Sequence, residues 1–381
     1  MDEIDSTTMG RPTTAVIHSL FAAAYLITMV ISVSTVYAGT FVSIAWPPVG
    51  IAVWWALTCR SRRGFILVCA FVFVALVLYL SIAGRLPIAA VLLIGIAHVI
   101  AGPAIALVVK WFERWDPTTR SRRHHRFVLT ARIMTPGDVY RLLVASLLLI
   151  PAAKVLSILA ISVGGDSVSI TLYASLILRD LAGVIAVAGP GIAISSGTWK
   201  GVRASTVVEF VVAMVGTGVL LAVIFGPGRH LPIVYLTLLP LYWSATRLPV
   251  AAASLHAVVT AGAATVLAYA AGYGPFAVSD ETPIVQATAV QLFIIMCVLL
   301  SLVVSTTVQE HSALVAEFET VTETIPDGLL IVDRSGRASP LNASAREFVI
   351  ESEDGEAVPR DLTQVEGFPL DGSDRPDRRV L

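Results

Sequence analysis

Charge is what this sequence has least of. Only 14% of its 381 residues are Asp, Glu, Lys or Arg, against 56% hydrophobic residues, and the formal net charge is −1. That balance argues against a soluble globular domain and gives no basis for nucleic-acid binding; it is the composition of a polytopic membrane protein. Cysteine is scarce as well. Cys59, Cys69 and Cys297 lie in or beside apolar runs, without the spacing of a disulfide framework or a metal site. No repeat of fixed period, phosphate-cradling glycine loop, metal cluster or nucleophile–base pair is visible. No metal or other cofactor is therefore evident, and the chain itself is not expected to be an enzyme.

What is present is a series of apolar runs. A hydrocarbon core of about 30 Å needs roughly 20 apolar residues per helix. Ten candidates emerge, at 14–36, 44–59, 65–83, 87–112, 138–163, 170–195, 206–225, 231–246, 250–272 and 286–308. The second and eighth are short and contain or follow prolines. The first run could be a signal peptide, since "VYA" (36–38) loosely resembles a cleavage site. Its length and the acidic "MDEID" before it point instead to a retained helix behind a cytoplasmic N-terminus of residues 1–13.

Loop charge gives the orientation. "RSRR" (Arg60, Arg62, Arg63) follows the second run, and Arg114, Arg120, Arg122, Arg123 and Arg126 follow the fourth. Lys200 and Arg203 follow the sixth and Arg247 the eighth, whereas the opposite loops carry only Arg85 and Arg229. Cytoplasmic loops are enriched in Lys and Arg. The expected protein is a multi-pass inner (plasma) membrane protein with both termini cytoplasmic and the lipid bilayer as its first partner. "RSRRHHR" would alternatively be a nucleic-acid or anionic-lipid patch, but a topology signal is the plainer reading.

Inside these runs lie a few ionisable residues. The fifth and sixth helices should form a hairpin around "GGDS" (164–167), which brings Lys154 and Asp180 to similar depth, with Arg179 adjoining and His98 level with them. A charge at a helix centre costs roughly 2.5–3.5 kcal/mol on insertion scales, so these groups must pair or be hydrated inside the bundle. They are candidates for a ligand-contacting or switching site. A purely structural bridge and misplaced span boundaries stay open, and His98 alone also reads as a hydrogen-bonded core histidine.

At these residues a family resemblance emerges. "RDLAGVIAVAGP" resembles the Asp, Gly, Pro pattern of the bacterial membrane-associated sensor domain of the first type, with Asp180, Gly183 and Pro190 on it. "AWPPVGIAVWWAL" resembles the start of that family's second helix, through Trp46, Pro47, Pro48 and Gly50. "LPLYWSATRLPVAAASLHAVV" resembles a late segment with Trp243 and Arg247. Arg179 departs from the pattern, which has a smaller residue beside its acid. The resemblance covers residues 14–308 and implies an all-α membrane sensor. On residue chemistry alone, Trp46 reads as an anchor in the outer interface and the prolines as a helix start at the surface. Tyr242 and Trp243 with Arg247 read as an inner anchor, and Glu209 as interfacial.

After Val308 the chain turns polar. Leu314, Phe318, Val321 and Ile325 are spaced as a helical stripe over 309–325, the pattern of a connector that could join a second copy in a homodimer. Residues 318–381 then resemble the opening of an α+β PAS domain. "GLLIVD" predicts a strand, "RSGR" a turn, "ASPLN" a strand and "ASAREFV" a short helix, with Asp333, Gly336, Asn342 and Ala345 on the PAS pattern. From Val358 a polar insertion is expected. The chain stops short of a whole PAS fold, which predicts a fragment or truncated product that is poorly ordered here. His311 reads as solvated helix surface rather than a phosphoacceptor.

These residues together predict the sensory input module of a signalling protein, relaying a small-molecule signal or a partner membrane protein's state to an output domain absent from this chain. Relatives of such domains carry histidine kinase or cyclic-dinucleotide synthase outputs, as in two-component systems. The alternatives are a small-solute or proton-coupled transporter using Lys154, Arg179 and Asp180, and a recruiting partner without signalling.

Overall fold

Backbone amides have no partner in hydrocarbon, so long apolar runs fold as helices that satisfy their own hydrogen bonds. The computed structural model describes residues 14–36, 42–59, 61–83, 86–115, 135–165, 167–196, 203–226, 233–271, 275–276, 282–332, 338–351 and 357–359. The basic stretch 120–126, the N-terminal residues 1–13, Asp333, Gly336 and the polar stretch after Pro359 lie outside them. The chain divides into two units, Met1–Gln309 and Glu310–Leu381.

In the first unit, α1 (Thr14–Ser34) is followed by a non-helical stretch, Val42–Trp46, and by α2 (Pro47–Thr58). Next come α3 (Arg62–Ala83), α4 (Ile88–Ala101), α5 (Pro103–Trp115), α6 (Pro136–Val163) and α7 (Ile170–Gly183). A π-helical turn, Val184–Ala188, joins α7 to α8 (Gly189–Ser196). Then come α9 (Ala204–Ile224), a 3₁₀ turn at Val234–Thr237, α10 (Leu238–Arg247), α11 (Val250–Ala271) and α12 (Pro283–Thr324). Local chemistry sets several ends. Thr135 and Asp138 cap α6 reciprocally, and the Ser169 hydroxyl accepts from Leu172 N–H at the start of α7.

Among the described residues, eight helices are long and apolar enough to cross a membrane, where the sequence predicts about ten. The difference falls on 44–59 and 231–246. The 12 residues of α2 rise only about 18 Å, and the 10 residues of α10 about 15 Å. Prolines start or interrupt both runs and leave part of each non-α-helical. The lead-in to α2 is nonetheless inside the protein: Val42, Ser43, Ile44 and Trp46 are buried, and an isolated bridge ties Ser43 to Val36.

The second unit holds the end of α12, an antiparallel pair β1 (Leu330–Val332) and β2 (Ala338–Pro340), α13 (Ala343–Phe348), and a second antiparallel pair, β3 (Val349–Glu351) and β4 (Ala357–Pro359). The first two strands and the helix lie where the sequence predicts them. The β3–β4 pair is not anticipated; Val358, placed at the head of a polar insertion, is instead a strand residue opposite Ile350.

Candidate functional site

Two antiparallel helices joined by a short turn bring residues at equal distance from that turn face to face. Lys154 and Asp180 each lie about 15 Å from the α6–α7 turn at 1.5 Å per residue. The Lys154 ammonium contacts Asp180 Oδ2, while Arg179 reaches back to its neighbour, Nε at 3.0 Å and a terminal nitrogen at 2.9 Å from Oδ1. All three side chains are buried, with Asp180 and Lys154 at 0% and 1% exposure. One carboxylate thus serves two cations, the arrangement an apolar surround demands of ions it cannot hydrate.

His98 on α4 joins this centre. Its Nδ1 meets the Ile94 carbonyl at 3.0 Å, and its ring packs edge-on against Trp46, centroids 5.8 Å apart. The Arg179 guanidinium lies 4.7 Å from the Trp46 ring centroid. This overturns the placement of Trp46 in an outer interface belt. It is a buried residue at the depth of Lys154 and Asp180, and α2 therefore begins inside the bundle rather than at its surface. The physical reason is visible in the next two residues. A helix start within hydrocarbon leaves unpaired N–H groups, and Pro47 and Pro48 at the first helical positions have none to leave.

Gly50 and Gly183 complete the joint. A Cβ on Gly50 would overlap the Gly183 carbonyl oxygen, and one on Gly183 would overlap the Trp46 carbonyl. Only hydrogen fits where these two backbones meet, the close approach small residues permit between membrane helices. Pro190 follows the π-helical turn and lacks the N–H that a continuous α-helix would use there; the widened turn accommodates it. The residues picked out by sequence pattern, Trp46, Pro47, Pro48, Gly50, Asp180, Gly183 and Pro190, therefore belong to adjoining segments. Trp243 and Arg247 do not join them. The Arg247 guanidinium lies 5.7 Å from the Trp243 ring and forks onto Glu209 of α9 at 3.2 and 3.3 Å, so Glu209 is an ion-pair partner as well as an interfacial residue.

Several polar residues escaped the sequence reading. Gln291 on α12 donates through Nε2 to the Ser43 carbonyl at 3.2 Å and receives the Ser175 hydroxyl at 3.4 Å. It thereby satisfies backbone in the non-helical lead-in. Its signal was a lone amide in the apolar run "AVQLFII". Tyr25 on α1 is fully buried and within reach of the Asp180 charge. His256 on α11 lies between the Thr217 hydroxyl at 2.9 Å and the Ser244 hydroxyl at 2.6 Å, and Ser244 also reaches the Pro240 carbonyl at 2.8 Å. No spacing rule links these three residues along the chain.

In the second unit, Asn342 is a buried junction. Its Oδ1 accepts from Leu329 N–H at 3.0 Å and Ala345 N–H at 2.9 Å. Its Nδ2 faces the carbonyls of Thr322, Ile325 and Asp327 at 3.3, 3.1 and 2.8 Å. One side chain thus caps α13 and holds the end of α12. Glu323 reinforces the joint, accepting from Ala343 N–H at 2.7 Å and Arg346 at 2.6 Å; these donors hold its carboxyl below the usual carboxylate range. The α12 helix runs unbroken for 42 residues through Val308, with Leu314, Phe318 and Val321 exposed near its end.

A family model described as MASE1 matches residues 16–312, well over half of the chain. No curated protein and no solved structure matches.

Proposed function

The chain belongs to the MASE1 family of membrane sensor domains, and from that premise we propose that it is the sensory input module of a bacterial signalling protein. The single observation that carries the reading is the meeting of α2, α4, α6 and α7 at Trp46, His98, Lys154, Arg179 and Asp180. A signal that loosens or tightens this joint shifts the balance between two packings of the bundle. The unbroken α12 passes that shift to the Asn342 junction, a PAS-like segment and an output unit that performs the chemistry, this chain being non-catalytic. The loop charges support cytoplasmic termini in the inner membrane. The exposed Leu314, Phe318 and Val321, with Ile325 partly buried just past the end of α12, suit a parallel connector between two copies.

The test is a fusion of residues 1–325 to a reporter output whose activity depends on its input helix. Asp180→Asn and Gly183→Val are expected to shift the basal output at least severalfold, while Gly216→Val, on an open face of α9, leaves it unchanged. Equal outputs from all variants would overturn the relay. Solute flux through the purified protein in liposomes would replace sensing with transport.

A further inference from the structure

Three buried polar atoms near the charged centre have no hydrogen-bond partner among the described residues: the Tyr25 hydroxyl, Trp46 Nε1 and His98 Nε2. They come from α1, the lead-in to α2, and α4. The Asp180 charge acts on both Tyr25 and His98, and the Trp46 ring touches both His98 and Arg179. Trp54, Thr260 and Ser301 carry unpartnered atoms elsewhere, but these three lie beside one ion cluster, whose Asp180 Oδ2 is met by the Lys154 ammonium. An apolar interior penalises each such group unless something else satisfies it.

Their chemistry specifies the missing partner. The indole N–H can only donate, the phenol O–H donates readily, and the Lys154 ammonium has hydrogens beyond the one directed at Asp180. His98 is the opposite case. Its Nδ1 faces a carbonyl, which only a protonated Nδ1 satisfies, so in the neutral ring Nε2 is an acceptor. A matching guest has negatively charged acceptor oxygens and one hydrogen of its own. Close packing around Gly50 and Gly183 favours a small one.

We propose that Tyr25, Trp46, His98 and Lys154 form a site for a small monovalent oxyanion with one donatable hydrogen, of the hydrogencarbonate or short hydroxycarboxylate kind. Tyr25 O–H, Trp46 N–H and Lys154 donate to its oxygens, and its hydrogen goes to His98 Nε2. The site deepens the sensory reading and rests on it only for the consequence of binding: an occupant ties α1, α2, α4 and α6 together at the joint.

The experiment is calorimetric titration of the full chain in lipid nanodiscs, at constant ionic strength, with sodium hydrogencarbonate and sodium glycolate. Sodium acetate and sodium chloride serve as probes without a hydrogen to donate. One or both of the first pair should bind about tenfold more tightly than acetate or chloride, the worth of one hydrogen bond; which of them binds distinguishes the two sources. Tyr25→Phe and Trp46→Phe should each weaken binding about tenfold. Tyr25→Phe, which deletes no hydrogen bond within the described protein, should leave the thermal stability of the unliganded protein unchanged or higher, while Trp46→Phe should lower it modestly because its smaller ring packs less well against His98 and Arg179. Absence of binding, equal affinity for acetate or chloride, undiminished affinity in both variants, or a loss of unliganded stability in Tyr25→Phe would each overturn the site. Such a failure leaves the relay standing or falling on the reporter fusion alone.

Discussion

Two buried histidines in the membrane unit are set in opposite ways. His256 has both ring nitrogens engaged, by Thr217 of α9 and Ser244 of α10, in a closed set of hydrogen bonds that includes no charged group. His98 has one nitrogen engaged within its own helix and the other orphaned, beside two cations and one carboxylate. A polar group whose bonds are all made inside the protein holds helices together. One left incomplete beside unneutralised charge keeps its capacity for something else. The α9–α11 region is therefore read as scaffold, and the junction of α2, α4, α6 and α7 as the region that responds.

The largest expected difference between the two regions comes from removing a buried charge. Asp180→Ala leaves Lys154 and Arg179 without the carboxylate they share, and should lower stability by about 3–5 kcal/mol. Glu209→Ala at the solvent-exposed Arg247 pair should change it little. Thermal unfolding in nanodiscs checks both. A similar loss from Glu209→Ala would erase the distinction.

Backbone contact gives the next contrast. Gly183→Ala forces a methyl into the Trp46 carbonyl and should cost about 1–3 kcal/mol. On α9, Gly216→Ala meets open space and should be neutral or slightly stabilising, since alanine is the better helix former. The histidines themselves come third. His256→Leu strands the Thr217 hydroxyl it served, while Ser244 keeps its bond to the Pro240 carbonyl, and should cost about 1–2 kcal/mol. His98→Leu removes an already orphaned nitrogen and should cost less than that. The reverse order would mean that His98 is the structural histidine.

The smallest effect lies in the second unit and is a matter of pH. Donors from Ala343 and Arg346 lower the Glu323 carboxyl in the folded state. Its contribution is therefore present above the unfolded carboxylate value of about 4.3 and lost as pH falls through the folded one. Glu323→Gln should flatten the acid limb of the α12–α13 junction's stability, read from amide exchange at Asn342 and Ala345 between pH 3 and 6, roughly the titration range of an Asp or Glu. An unchanged acid limb would remove Glu323 from the joint.

How much of this was legible beforehand depended on how strongly physics constrains each residue. Lys154, Arg179 and Asp180 stood out because lipid penalises lone ions, and hairpin counting gave their shared depth. The other membrane runs were legible from length and hydropathy, but the breaks inside two of them, between α4 and α5 and at the π-helical turn Val184–Ala188, were not. The depth of Trp46 was not, because the usual rules place tryptophan at the interface and a Pro-Pro helix start at the surface. What decides its position is the non-helical Val42–Trp46, and five residues without periodicity announce nothing. Tyr25, Gln291 and His256 were hidden for another reason. Each is a single polar residue in an apolar run; the groups that Gln291 and His256 bond lie elsewhere in the chain at no fixed spacing, and the Tyr25 hydroxyl has no hydrogen-bond partner among the described residues. Asn342 was found from pattern, but its contacts to both α12 and α13 follow only from the tertiary arrangement.

The most direct test of the shared centre is a double-mutant cycle on Lys154→Ala and Asp180→Ala, scored by unfolding free energy in nanodiscs. Ions in contact should couple strongly, so the double variant should be more stable than the sum of the single losses by at least about 1 kcal/mol. Strict additivity would contradict contact between them, and with it the reading of α6 and α7 as walls of one responsive site.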